Sequence, residues 1–196
     1  MTFQIHDLNT APVGSREMLS KIAQSYGFLP NLAGVFAESP AALNGLLGAI
    51  SAFDAKEMTL SPVERQVVLL AVSVKNRCEY CAAAHSMLAN KIGLDRKEIE
   101  NLQLGGRLSD SRLEALRHFT EAVLDSRGWA PEAELEKFLN AGFTKAQILE
   151  VIFGVALKTF TNYANHIAKP PVNEQFAGFL PNWANAELAA EATQGR

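Results

Sequence analysis

The chain has 196 residues, a net charge of −3, 48% hydrophobic and 20% charged side chains. That is ordinary composition for one soluble globular domain long enough to bury a core. With no Lys/Arg run there is no electrostatic case for nucleic acid, and the longest apolar runs, 67–72 and 151–157, are far too short to span a membrane.

Residues 1–7 lack the basic start and apolar stretch of a secretory signal, so a cytoplasmic location is expected. Apolar residues then recur at spacings of three and four, with no convincing alternating strand. The spacing predicts helices over 15–26, 40–54, 62–76, 78–92, 95–103, 110–126, 131–140 and 144–168. Pro30, Pro40, Pro62, Pro131 and Pro170 punctuate them, as do Gly27, Gly93, Gly105, Gly106, Gly128 and Gly142. Residues 1–56 read as an N-terminal helical segment, and 189–196 as a flexible tail.

Two helix starts carry clear signals. Ser61-Pro62-Val63-Glu64 combines an N-cap serine, proline at the first helical position and glutamate at the third. Asn76-Arg77-Cys78-Glu79 is a looser version, with Asn76 as cap and Cys78 in the first turn. A faint internal echo links 60–85 to 143–168 at an offset of 83. Val68, Val72, Lys75 and Tyr80 fall on Val151, Val155, Lys158 and Tyr163; Ser61 falls on Thr144 and Glu64 on Gln147. The echo predicts two similar helical hairpins, of which one carries chemistry.

That chemistry lies in Cys78-Glu79-Tyr80-Cys81-Ala82-Ala83-Ala84-His85. Both cysteines of the chain are here, three apart, a placement chance gives about one time in a hundred. On a helix, positions 78, 81 and 85 share one face. A dithiol beside an imidazole is a redox or metal-binding device. Attack of a thiolate on peroxide gives a sulfenic acid, and a second cysteine in reach condenses with it to a disulfide. His85 is the expected base, and Glu64 the expected carboxylate that orients it, although a capping glutamate already has a structural role.

Other readings stay open. Inert core thiols are one. Zinc is another, needing a fourth ligand such as Glu64, His118 or His166, with no second ligand pair in the sequence. Haem attachment requires His directly after the second Cys, where Ala82 stands. Tyr80, between the cysteines, reads as packing or as part of a pocket or interface, and His6 and His118 as surface residues. Asn162, Asn165 and His166 share a face too polar for plain core, and with Tyr163 they suggest a buried hydrogen-bond network, a subunit contact or part of a pocket. Phe153, Phe160, Trp129 and Trp183 could line an apolar pocket, but such residues are usually core.

Ser61-Pro62-Val63-Glu64-Arg65, Leu70-Ala71-Val72-Ser73, Asn76 and the CxxCxxxH element together resemble the carboxymuconolactone decarboxylase superfamily, in its alkylhydroperoxidase D-like, peroxidase-related branch. The run Phe160-Thr161-Asn162-Tyr163-Ala164-Asn165-His166 resembles it too. The match is strongest over 57–92 and extends to about 176, so that 57–176 reads as the core. The resemblance implies an all-α fold of antiparallel helices and a homo-oligomer, commonly trimeric or hexameric. It implies reduction of a small peroxide with no bound cofactor or metal. Cys81 would attack, Cys78 resolve, His85 and Glu64 relay protons, and an external dithiol (a lipoyl protein or thioredoxin) restore the thiols. The helix dipole argues instead for Cys78 as the more acidic thiol; the nearby base argues for Cys81. The decarboxylase chemistry that names the superfamily has no need of a dithiol, and a non-enzymatic redox sensor would use the same pair.

Overall fold

The computed structural model describes residues 3–184, so the expected tail at 189–196 lies outside the described residues. It is all-helical: α1 (Val13–Tyr26), α2 (Asn31–Phe36), α3 (Pro40–Phe53), α4 (Pro62–Lys75), α5 (Glu79–Lys91), α6 (Arg96–Leu104), α7 (Ser111–Asp125), α8 (Glu132–Asn140) and α9 (Lys145–Ala168), then a 3-10 helix at Glu174–Phe179. Among the described residues, no helix is long and apolar enough to cross a membrane. Each helix predicted from spacing is present within a few residues of its expected ends. The two short elements, α2 and the 3-10 helix, were not predicted, because six residues give too few turns for an apolar period to show.

α4 and α9 begin alike. Ser61 Oγ accepts from Glu64 N, and Ser61 N donates to Glu64 Oε2 at 2.7 Å. Thr144 and Gln147 form the same reciprocal pair. From there the echo fails. α4 ends in a Schellman motif: Arg77 takes a left-handed backbone (φ 54), Cys78 N donates to Ser73 O and Arg77 N to Val74 O. The chain turns, and α5 runs back along α4. At the matching place α9 has Thr159 and Phe160, which offer no break, and it continues as one 24-residue helix. The second hairpin expected from the echo is therefore a single helix. Asn76 closes α4 instead of capping α5, and Cys78 itself is the N-cap of α5.

α9 crosses the molecule between two apolar clusters. One holds α4 to α8 around Leu70, Leu116, Phe119 and Phe138; the other holds α1 to α3 around Leu19, Leu43 and Phe53. Gly154 lets α9 press against both: a Cβ there would stand 2.7 Å from Val68 Cγ1 and 2.9 Å from Phe53 Cζ. A third cluster, Cys78, Tyr80, Cys81, Ala83 and Phe176, seals the start of α5. His6, expected at the surface, is buried against Glu38 at 2.8 Å. Gly34 makes this approach possible, since His6 N donates to Gly34 O and a Cβ at Gly34 would meet His6 O at 2.6 Å.

Candidate active site

Cys78 and Cys81 are both reduced and both buried at the N-terminal end of α5. α9 lies across them. Asn165 Nδ2 donates to Cys81 Sγ at 3.0 Å and stands 3.5 Å from Cys78 Sγ, bridging the pair. Thr161 Oγ1 is 4.0 Å from Cys81 Sγ. Asn162, the residue between, is fully buried and takes a hydrogen bond from Asn76 Nδ2 at 3.0 Å, tying α9 to the end of α4.

The two sulfurs are driven apart in acidity. Burial pushes the Cys81 thiol up, but a hydrogen bond from the Cys78 thiol, the charge of Lys158, and the Asn162 and Thr161 side chains outweigh it and hold Cys81 at about 5. Cys78 is pushed strongly up, first by donating its hydrogen to Cys81 and then by burial. These contacts favour the charged form at Cys81 and the protonated form at Cys78. The helix-dipole expectation for Cys78 is reversed: both residues sit at the same helix end, and the contacts from α9 converge on Cys81.

His85 is the third motif residue, and its partners differ from those expected. Its Nδ1 is 2.9 Å from Gln66 Oε1, and its Nε2 is 2.7 Å from Lys158 Nζ. An amide oxygen can only accept and an ammonium can only donate, so Nδ1 carries the hydrogen and Nε2 the lone pair. Burial, then the Lys158 charge, lowers the imidazole well below its ordinary range, and His85 is neutral. No hydrogen bond joins it to Cys81; Lys158 stands in common between them.

Glu64 is not in this site. Its carboxylate caps α4 and pairs with Arg112 Nε at 2.8 Å, and Arg112 in turn stacks on Phe143. The capping box and Arg112 hold the buried Glu64 carboxylate at the start of α4, and the residue two further along, Gln66, faces His85. Where a carboxylate was expected to orient the ring, there is an amide that cannot take up a proton.

Tyr80 packs and also lines the cavity described below. Its hydroxyl donates to Asn173 Oδ1 at 2.6 Å and accepts from Leu32 N, and its ring meets Phe176 edge-on. Tyr163 and His166 point outward from α9 and are exposed, away from the sulfurs. His118 is also at the surface, 3.0 Å from Glu114. Among the described residues no group of three or more His, Cys, Asp or Glu side chains is arranged to hold a metal ion.

Cys81, His85, Gln66, Lys158 and Thr161 share one end of a cavity of about 640 Å³. Its walls are mostly aliphatic, with Leu43, Leu46, Leu69 and Leu157 among them, and it runs toward Lys21, Tyr26 and Asp54. Phe153, Phe160, Trp129 and Trp183 do not line it: Trp129 is exposed, Phe160 lies on Phe36, Phe153 packs on Phe53, and Trp183 packs on the core. Sequence reasoning missed Gln66 and Lys158. The one signal for Lys158 was a lysine inside an otherwise apolar helical stretch.

A helical bundle with a buried, polarised dithiol at the end of an apolar cavity is the class of site this chain carries. Residues 37–125 match the sequence model of the Carboxymuconolactone decarboxylase family. No curated protein matches the chain. Among solved structures it resembles the alkylhydroperoxidase AhpD core of a peroxidase-related protein from Ralstonia eutropha JMP134 (21% identity, 92% of this chain and 97% of that one, TM-score 0.81). It also resembles a peroxidase-related protein from Silicibacter sp. TM1040 (22%, 89% and 94%, 0.77). A third likeness is a cysteine-to-alanine variant of the debrominase Bmp8 in complex with 2,3,4-tribromopyrrole (15%, 91% and 95%, 0.74). Over residues 37–125 the chain thus resembles the carboxymuconolactone decarboxylase family, and its fold is that of the alkylhydroperoxidase AhpD-like structures. The matched segment contains Gln66, the two cysteines and His85, whereas Lys158 and the asparagines of α9 lie beyond it.

Proposed function

We propose that this protein is a thiol-dependent peroxidase that reduces organic hydroperoxides through a Cys78–Cys81 dithiol/disulfide cycle. The observation that carries the reading is the reduced, buried pair bridged by Asn165, with Cys81 lining the cavity and favoured as the thiolate over Cys78. The thiolate is the reactive form of cysteine, and Cys81 carries it at neutral pH. Cys81 attacks the outer peroxide oxygen, and Cys78 displaces hydroxide from the sulfenic acid. His85, fixed by Gln66, holds Lys158 in the cavity that Cys81 lines, where its charge acts on the sulfur; Glu64 has no part in the chemistry. The apolar cavity is in the size range of small-molecule sites and favours a bulky organic hydroperoxide over hydrogen peroxide. An external dithiol, a lipoyl group or a thioredoxin-like protein, restores the thiols, in keeping with a cytoplasmic setting. The family resemblance supports a homo-oligomer, trimeric or hexameric, which light scattering tests directly.

A second reading is favoured by the debrominase likeness together with the same site. Thiolate and thiol can deliver two electrons to an aryl bromide, giving arene, bromide and disulfide. The lyase reading uses no dithiol and leaves the polarisation of the pair unexplained.

The test counts free thiols in the reduced protein before and after a small excess of cumene hydroperoxide. Loss of both within minutes, restored by a dithiol, is the expected result. Thiols that persist would end the peroxidase reading. Bromide released from a bromopyrrole by the same protein would then establish the second.

A further inference from the structure

We propose that Lys158 is the acid of the cycle: it protonates the oxygen that leaves when Cys81 attacks, stays discharged in the disulfide form, and is recharged when the disulfide is reduced. This rests on the thiol-peroxidase reading.

Lys158 is 5% exposed, and its Nζ donates to His85 Nε2 at 2.7 Å. Among the described residues, no carboxylate forms an ion pair with it. A buried ammonium without a counter-charge is strongly unfavourable, so such groups are paired or lose their charge. The anion that answers Lys158 is the Cys81 thiolate, whose acidity the lysine charge supports. The other ionisable groups around the cavity cannot replace it. On α5 there are Cys78, held as a thiol, His85, held neutral, and Tyr80, whose hydroxyl burial keeps protonated. α4 contributes the uncharged Gln66. α1 contributes Lys21 and Tyr26 and α3 contributes Asp54, all toward the other end of the cavity, where Lys21 pairs with Glu17 and Asp54 lies 3.8 Å from Arg65.

The oxidation removes that anion. Cys81 thiolate plus hydroperoxide gives Cys81 sulfenic acid plus alkoxide: a sulfur–oxygen bond forms, the oxygen–oxygen bond breaks, and sulfur loses two electrons. The alkoxide needs a proton. Lys158 lines the same end of the cavity and has just lost its counter-charge, so it supplies the proton and becomes a neutral amine. Cys78 thiol then displaces the sulfenic oxygen as water, its own hydrogen leaving with the hydroxide. Reduction reverses the account. An external dithiol gives two electrons and two hydrogens; one hydrogen stays on Cys78, the other returns to Lys158, and Cys81 is again the thiolate. The cycle draws no proton from bulk water, which suits a site whose histidine neighbour is an amide and not an acid.

The test needs no peroxide, so it fails or succeeds apart from the peroxidase reading. The Cys78/Cys81 disulfide is equilibrated with dithiothreitol buffers between pH 6 and 8. Thiolate in the reduced protein is followed in parallel by ultraviolet absorbance. With one thiolate present and Lys158 discharging on oxidation, two protons accompany two electrons. The equilibrium constant, corrected for the buffer couple, then changes about a hundredfold per pH unit, or about 59 mV. Lys158→Arg keeps a positive charge but cannot release its proton. That variant should retain the thiolate and change about tenfold per pH unit. A tenfold slope in the wild type with thiolate present would overturn the proposal, as would a reduced wild type with no thiolate. A hundredfold slope in Lys158→Arg with its thiolate intact would do the same. If that variant does not fold, the wild-type slope and absorbance decide alone.

Discussion

Lys75 and Lys158 occupy the same place in the internal echo, each late in an apolar helical run that opens with a capping box. Their surroundings are opposite. Lys75 is 36% exposed and reaches Asp125 at 2.8 Å across the surface. Lys158 is 5% exposed, lines the cavity that Cys81 also lines and touches a neutral imidazole. The difference begins at the next residues. Arg77 turns the chain after α4 and sends it back as α5, leaving Lys75 at a helix end in water. α9 has no such break, continues past Lys158, and lays it across α5 together with Thr161, Asn162 and Asn165. One local sequence pattern thus yields a solvated ion pair in one place and an electrostatic device in the other, and the residues just C-terminal to each lysine decide between them.

The sharpest way to break this contrast is at the sulfur the second lysine serves. Cys81→Ser should reduce peroxide-driven thiol loss on the order of a thousandfold or more. Cys78→Ser should still oxidise once and stop at a sulfenic acid that dimedone traps; the opposite pattern would reverse the assignment. Next in size is Lys158→Met. Loss of the charge moves Cys81 from about 5 toward the ordinary thiol range, leaving a minor thiolate fraction at pH 7. Alkylation by iodoacetamide should slow about tenfold there. The sign is set by the direction of the shift: wild-type reactivity is flat above about pH 6 and falls as the pH drops through 5, whereas the variant should keep rising through pH 8. A third change acts through packing. Gly154 stands one turn before Lys158 at the close approach of α9 to α4, and Gly154→Ala should cost about 1–3 kcal/mol by overpacking, lowering Tm by roughly 2–4 °C per kcal/mol.

The site was legible chiefly where it is local, and beyond that only as the polar face of Asn162 and Asn165, which nothing in the sequence tied to the cysteines. Cys78, Cys81 and His85 lie within eight residues, and helical spacing alone puts them together. The groups that make the pair reactive come from elsewhere: Gln66 from the middle of α4, and Lys158, Thr161 and Asn165 from α9, some 80 residues on. No spacing rule connects them. Glu64 drew attention because it is acidic and upstream, yet its capping box already fixed its direction, and that local geometry outweighed the resemblance. For the fold, long amphipathic helices showed clearly. The echo misled because it registers matching residues and is silent on the left-handed turn at Arg77 that makes a hairpin of one copy. Glu64→Gln tests the lesson directly. It keeps the shape of the cap but weakens the pair with half-exposed Arg112, so stability should fall by about 1 kcal/mol in chemical denaturation, with alkylation of Cys81 unchanged.

The smallest expected effect is the most useful control. Lys75→Met removes one positive charge from the same helical position as Lys158→Met, with the same loss of volume and the same change in net charge. Exposed ion pairs contribute about 0–1 kcal/mol, so stability should change by no more than about 0.5 kcal/mol, and less at high salt. Cys81 alkylation at pH 7 should match the wild type, because a lysine in water is screened whereas one buried beside the sulfur is not. Measured side by side at low and high salt, the two variants separate two origins of the thiolate. Equal slowing by both, removed by salt, would mean that the general positive field of the helical ends activates Cys81, and the assignment of Lys158 as its counter-charge would be lost. Slowing by Lys158→Met alone, insensitive to salt, is what burial of that ammonium requires.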